Sequence, residues 1–155
     1  MDKKVISVIP GRCIGCKQCE LICSYVHEGC YSLRLSRIKV MHFEDKGLSV
    51  PITCTYCEKP VCQEVCPVEA ITNNSLNGVA EVNEELCIGC KKCVNACPLG
   101  AIDLHPQKGV VVRCDLCDGD PACVKYCPVK ALTYVSLYIG VKSKRRARME
   151  AWNLE

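Results

Sequence analysis

The chain has 155 residues with 20 basic and 17 acidic side chains, a formal charge of +3, and only 5% aromatics. So few large side chains make a conventional apolar core thin for this length, and seventeen cysteines have to supply what burial does not. Their odd number excludes a fully paired disulfide network within the chain, and no uncharged run reaches the ~18 residues of a membrane span.

In chain order, Met1-Asp2-Lys3-Lys4-Val5-Ile6 lacks the apolar stretch of an export signal, so a reducing, cytoplasmic setting is expected, where clustered thiols favour metal over disulfides. Residues 4–9 predict a strand. The first cysteine block follows as Cys13-x2-Cys16-x2-Cys19-x3-Cys23, then Ser24. In the insert behind it, Leu33, Leu35, Ile38 and Val40 alternate with polar residues, and Asp45-Lys46-Gly47 signals a turn before a strand over 48–52. A β-hairpin at 30–53 is predicted, either covering a metal centre or offering a docking ribbon.

The second block is Cys54-x2-Cys57-x4-Cys62-x3-Cys66 with Pro67. A strand over 78–82 leads to the third, Cys87-x2-Cys90-x2-Cys93-x3-Cys97 with Pro98, and one over 110–112 to the fourth, Cys114-x2-Cys117-x5-Cys123-x3-Cys127 with Pro128. Sixteen cysteines thus form four blocks, each ending in C-x3-C, a repeat that dictates the architecture. Pro67-Val68-Glu69-Ala70-Ile71, Pro98-Leu99-Gly100-Ala101-Ile102 and Pro128-Val129-Lys130-Ala131-Leu132 share P-x-x-A-[IL]. Each reads as one helical turn with its Ala near a metal centre and the next apolar residue inward.

The third block is, letter for letter, the C-x2-C-x2-C-x3-C-P run of bacterial ferredoxins. Three thiolates at steps of three residues sit on a tight loop and hold three irons of one cubane. The fourth cysteine is expected at the start of the next helix, where Pro needs no amide donor, and in two-cluster ferredoxins it serves the other cluster. Structural zinc sites instead combine two C-x2-C pairs across a longer loop. Four successive blocks favour iron–sulfur clusters over zinc.

With four thiolates each, such cubanes have no open iron for substrate, and the sequence carries neither G-x-G-x-x-G nor G-x4-G-K-[ST]. What a closed cubane does is take up and release one electron. Four oxidised clusters at about −2 each would carry the apo charge of +3 to roughly −5. Lys17, Lys91, Lys92, Lys125 and Lys130 stand near the blocks as partial screens or plain solvated lysines. Cys30 is read as a buried structural thiol, and His27, His42 and His105 as packing or solvent-facing groups. The tail, residues 142–155, holds five basic and two acidic side chains and the only tryptophan, Trp152. Solvated terminus, docking arm and nucleic-acid arm compete; docking is favoured, and nucleic acid is not expected because no recognition fold accompanies it.

The spacings, with Cys54-Thr55-Tyr56-Cys57-Glu58-Lys59-Pro60-Val61-Cys62 and Cys114-Asp115-Leu116-Cys117-Asp118-Gly119-Asp120-Pro121-Ala122-Cys123 both carrying Pro two residues before the third cysteine, resemble the four-cluster iron–sulfur subunits of the dimethyl-sulfoxide-reductase type. Cys13-Ile14-Gly15-Cys16-Lys17-Gln18-Cys19 through Cys23-Ser24 looks like the family's short cytoplasmic members, which serve formate hydrogenlyase, carbon-monoxide-linked hydrogenase, tungsten aldehyde oxidoreductase and benzoyl-CoA reductase. The likeness covers residues 4–135, departing at Ser24, where the other blocks have Pro.

The resemblance implies an α+β protein of two pseudo-symmetric, intertwined dicluster ferredoxin-like modules. The outer one comprises 1–29 and 108–141, the inner one 54–107, with the hairpin insert at 30–53 and the tail at 142–155. It further implies four 4Fe–4S clusters in nested pairing: Cys13/Cys16/Cys19/Cys127, Cys114/Cys117/Cys123/Cys23, Cys54/Cys57/Cys62/Cys97 and Cys87/Cys90/Cys93/Cys66. Spacing alone leaves sequential pairing open. The implied function is non-catalytic relay of single electrons between a catalytic subunit, foremost of the tungsten/molybdenum aldehyde-oxidoreductase type, and a flavin-containing or ferredoxin redox partner, with end-to-end self-association in view. A wire subunit of a hydrogenase, CO dehydrogenase or formate dehydrogenase, a freestanding polyferredoxin and an iron–sulfur redox sensor are the other readings.

Overall fold

The computed structural model describes residues 3–73 and 79–136, so the basic tail with Trp152 lies outside the described residues, as does Gly78. The described residues are α+β, built as four two-stranded antiparallel ribbons joined by cysteine loops and short helices. Strand β1 (Lys4–Val8) pairs with the last described strand, β8 (Leu132–Ser136), so that Val5 faces Val135 and Val8 faces Leu132. The strand ahead of block one is thereby laid beside the strand behind block four.

Three more ribbons are local. β2 (Lys39–Phe43) and β3 (Leu48–Ile52) form the hairpin of the insert. β4 (Ile71–Asn73) pairs with β5 (Ala80–Val82) between blocks two and three, and β6 (Ile102–Leu104) with β7 (Val111–Arg113) between blocks three and four. Among the described residues no helix is long and apolar enough to cross a membrane.

Only part of the predicted hairpin is strand. Leu33–Leu35 is a 3-10 turn because buried Ser36 competes for the backbone: its Oγ donates to the Ile38 carbonyl at 2.7 Å and accepts the Ile38 N–H at 3.2 Å. The segment is thereby folded back onto helix α1 (Gln18–Glu28), where Ser32 N–H donates to Ser24 Oγ at 2.9 Å.

Helix lengths follow from the residue after the fourth cysteine. In α2 (Val61–Glu64), α3 (Lys92–Ala96) and α4 (Ala122–Lys125), the third cysteine sits inside the helix and the fourth at or just past its end. The expectation that the fourth cysteine opens a new helix is therefore corrected. C-x3-C spans one α-turn and stacks both thiols on one face, and Pro67, Pro98 and Pro128 then end the helix. Ser24 imposes no such stop. Fully buried, it donates Oγ to the Leu21 carbonyl at 2.9 Å, and α1 runs on to Glu28 before Gly29 (φ 68°) closes it.

The P-x-x-A segments are tight turns rather than helical turns. Their third residues, Glu69, Gly100 and Lys130, have φ of 52°, 61° and 53°, and the left-handed kink turns the chain into the next strand. The apolar residue after each Ala does point inward: Ile71, Ile102 and Leu132 are buried. Ile71, Leu132, Ile38 and Leu116 are the large side chains taken fully out of water, each worth about 1.5–3 kcal/mol of burial.

α1 packs against α4, and α2 against α3. The end of α1 is tied to the β6–β7 turn by Glu28, 3.2 Å from both His105 Nε2 and Lys108 Nζ. Burial alone would raise the Glu28 carboxyl, but Lys108 and His105 outweigh it and hold it below its ordinary value.

Candidate metal centre

Two of the four predicted thiol quartets line common cavities. Cys54, Cys57, Cys62 and Cys97 surround one, together with Leu99, Ile102 and Arg113. Cys66, Cys87, Cys90 and Cys93 surround another, with Ile71, Ile88 and Val111. In each, three cysteines come from one block and one from another, and the packing of α2 on α3 is what exchanges Cys66 and Cys97.

The other eight cysteines belong to the first and fourth blocks. Cys19, Cys23, Cys114, Cys123 and Cys127 are buried in one core against half-buried Cys13, and α1 on α4 brings the two blocks together. Cys23 is close enough to Cys114, Cys117 and Cys123 that their charges interact, as Cys19 does with Cys13, Cys16 and Cys123. Cys30, by contrast, is exposed, a correction of its reading as a buried thiol: α1 ends at Gly29, so the next residue emerges beyond the helix.

Burial pushes the Cys19, Cys23, Cys117 and Cys123 thiols up, Cys19 to about 12 with help from the Glu20 carboxylate, and Cys117 to about 11. Ionising several adjacent buried thiols is therefore unfavourable unless a cation shares the site. The chain also supplies sulfur acceptors with donors. Ala70, Ala101 and Ala131 each return the N–H of the P-x-x-A turn to the preceding cysteine Sγ, at 3.3, 3.4 and 3.2 Å.

The first block has no such turn. Its Cys23 Sγ is served instead by Arg37 N–H at 3.4 Å, from the segment Ser36 folds back, while Cys87 Sγ receives Val111 N–H from β7 at 3.4 Å. Arg37 is held by Asp115, 2.5 Å from its guanidinium, and Asp115 Oδ1 also caps Cys117 N–H at 2.9 Å.

Arg113 is the functional residue that spacing did not reveal. It is 4% exposed, donates from Nη2 to Cys54 Sγ at 2.8 Å and from Nη1 to Cys62 Sγ at 3.5 Å, and its buried Nε has no acceptor. A signal was present: one cation closes the apolar run Val110-Val111-Val112 just before Cys114, and a buried charge needs a counter-charge. The expected lysines stand elsewhere: Lys91, Lys92, Lys125 and Lys130 are exposed, Lys17 half-buried. His27 Nε2 lies 3.8 Å from Cys117 Sγ and 3.5 Å from Asp115; His42 is exposed against Ser49; His105 is buried against Glu28.

Quartets of thiols with amide donors on their sulfurs, and an orphaned guanidinium N–H at one wall, fit an anionic iron–sulfur cube with sulfide acceptors. The comparisons with known proteins agree. Residues 46–137 match the 4Fe-4S dicluster domain family and residues 10–26 a 4Fe-4S binding domain. The aliphatic sulfonate oxidoreductase polyferredoxin-like subunit of Pyrococcus furiosus is 43% identical over 111 residues, which is 72% of this chain and 64% of that protein. Formate hydrogenlyase subunit 2 of Escherichia coli K12 is 42% identical over 62% of this chain and 45% of its own length.

The chain therefore spans between about half and two thirds of these relatives. Among solved structures, the active-site complex BamBC of benzoyl coenzyme A reductase with benzoyl-CoA aligns at TM-score 0.52 and 26% identity, covering 90% of this chain and 87% of that one. Seventeen cysteines and two matching domains fit four 4Fe–4S clusters. The chain belongs to the 4Fe–4S dicluster ferredoxin family.

Proposed function

We propose that the chain is the electron-relay subunit of an oxidoreductase complex, with four 4Fe–4S clusters held crosswise by the sixteen block cysteines. The observation that carries this is the exchange of fourth cysteines between facing blocks, seen where Cys97 joins Cys54, Cys57 and Cys62 and where Cys66 joins Cys87, Cys90 and Cys93. Cys23 among Cys114, Cys117 and Cys123 extends the pattern, with Cys127 completing Cys13, Cys16 and Cys19. The pairing of β1 with β8 supports an outer module of 1–29 and 108–141, and α2 against α3 an inner one of 54–107.

When bound, each cluster supplies a one-electron couple with little rearrangement. The protein's part is to close every iron with thiolate, feed amide protons to the sulfurs and keep the quartets adjacent. Cys54 neighbours Cys114, so the proposed row runs from block one through blocks four and two to block three. The names of the relatives, subunits of a sulfonate oxidoreductase and of formate hydrogenlyase, support a catalytic partner. The likeness to a benzoyl coenzyme A reductase active-site complex also supports one. The family resemblance implies that it is of the tungsten/molybdenum aldehyde-oxidoreductase type, with a second redox protein at the other end.

Anaerobic co-purification from source cells, with iron, sulfide, tungsten, molybdenum and nickel analysis, tests this. About sixteen irons per chain and a tungsten or molybdenum subunit are expected. Nickel would move the partner to a hydrogenase, zinc would overturn the clusters, and a lone or self-associated chain would remove the catalytic partner.

Crosswise pairing makes a sharper prediction. Cys54→Ser with Cys97→Ser should cost no more iron than one cluster, about four per chain, because both changes strike one quartet. Cys87→Ser with Cys97→Ser should cost about eight. Sequential pairing reverses the two results, and iron counts on anaerobically purified double variants decide between them.

A further inference from the structure

Arg113 is the one guanidinium or ammonium among the described residues that donates a hydrogen bond to a cysteine sulfur. The other partners of cysteine sulfur among the described residues are neutral: backbone amides, the Thr55 hydroxyl and the His27 ring. It is held there on every side. β7 fixes its backbone, the Tyr56 ring lies 5.8 Å from the guanidinium carbon, and the Tyr56 hydroxyl donates to the Cys114 carbonyl at 3.0 Å, locking the aromatic wall to the next block. Among the described residues it forms no salt bridge with a carboxylate: its two sulfur contacts are Cys54 and Cys62. A guanidinium stays protonated at any working pH, so the charge is permanent.

The quartet of Cys114, Cys117, Cys123 and Cys23 has the opposite setting. The guanidinium beside Cys23, Arg37, is already paired with Asp115, and that carboxylate lies beside Cys117. A one-electron reduction adds one negative charge to a cluster and moves no proton to Arg113. An unpaired buried cation at hydrogen-bond distance from two of its thiolates therefore favours the reduced state. The exposed lysines near the other blocks are screened by water.

Building on the relay reading above, we propose that Arg113 makes the cluster of Cys54, Cys57, Cys62 and Cys97 the most readily reduced of the four. It is a potential-setting residue that parks an electron at the junction of the inner and outer modules. Arg113 closes β7 directly before Cys114, so the strand that leads into a proposed ligand of the neighbouring cluster delivers the charge to this one. Electrons arriving from either end then collect at an interior station of the row. The electron comes from whichever partner is the reductant, the catalytic subunit or the second redox protein, and leaves to the other, one electron per step.

The test is an EPR-monitored redox titration, with dithionite as reductant, of the anaerobically purified holo-protein and its Arg113→Gln and Arg113→Lys variants, with iron and sulfide counted. The couple in question is the one lost in Cys97→Ser. In Arg113→Gln that couple should shift negative, so that at the wild-type midpoint its reduced-to-oxidised ratio falls at least tenfold, about 59 mV for one electron. The other three couples should stay in place, and Arg113→Lys should shift the same couple less.

Four unmoved couples in Arg113→Gln would overturn the inference, and so would equal shifts in both variants, which would mean packing rather than charge. Loss of that cluster's iron from both variants would make the residue a strut and also overturn it. Loss of iron from Arg113→Gln alone, with the couple of Arg113→Lys kept at or slightly below its wild-type potential, would support it. Fewer than four couples in the wild type would count against the relay reading instead, and the effect of Arg113 is still read on the couple that depends on Cys97.

Discussion

Stripping the iron is expected to unfold the protein rather than leave an apo shell. The larger core consists of Cys19, Cys23, Cys54, Cys114, Cys123 and Cys127 packed with Val5, Ile6, Ile38, Val40, Tyr56 and Leu132, so sulfur is a large part of what the strands pack upon. Each ribbon has only two strands, and an isolated two-stranded ribbon is at best marginal in water. α2 and α4 are four residues each and α3 five, far below the length at which a helix holds itself. What remains is cross-linking by metal, whose binding free energy is then folding free energy.

Anaerobic chelation or brief acid treatment should abolish far-UV circular dichroism and amide protection along β1 and β8 together. Iron and sulfide added back should restore both. Amides of Val5–Val8 that stay protected in an iron-free sample would show that the ribbons stand on their own, and the cluster-built fold would be abandoned.

How much of this was legible depends on how far each interaction reaches along the chain. The blocks, the strands ahead of them and the turn at Gly47 are local patterns, and all are found within a residue or two of expectation. The P-x-x-A pattern predicts helical turns, and the structure has tight turns there instead. The helical turn is overridden by a left-handed third residue, which brings Ala N–H back to sulfur. Leu33 and Leu35 alternate like a strand, yet Ser36 turns the chain there.

Contacts made across the fold left almost no local trace. Arg37 serves Cys23 from 14 residues away, Val111 serves Cys87 from 24, and Arg113 reaches Cys54 from 59. Only the cost of burying an unpaired charge pointed at the last. Ser24 shows the converse case. As a departure from Cys-Pro it leaves Cys23 an expected ligand; its consequence is a longer helix and a borrowed amide donor, with the thiol beside Cys114 of block four.

The second large effect is expected from one methyl group. Gly89, between the first two cysteines of block three, has φ 64°, and a Cβ there would stand 2.2 Å from the Gly109 carbonyl oxygen. That oxygen is backbone in the β6–β7 turn and cannot rotate away. Yielding means moving the turn that carries Val111 N–H to Cys87 Sγ and His105 to Glu28. A left-handed non-glycine costs about 1–2 kcal/mol and forced overpacking a further 1–3 kcal/mol.

Gly89→Ala should thus lose roughly 3 kcal/mol, a fall in melting temperature on the order of 10 °C, and shed the iron of the block-three cluster. The matched control is Gly15, at the same place in block one with φ 70°. Its added Cβ meets the ends of side chains, His42 Cε1 at 2.6 Å and Ser49 Oγ at 2.7 Å, which can swing aside toward solvent. Gly15→Ala should therefore cost little beyond the conformational penalty and keep its iron. Thermal melts and iron counts of the two variants, prepared anaerobically side by side, read the difference. Equal losses would show that the close approach of block three to the β6–β7 turn plays no part in holding its cluster.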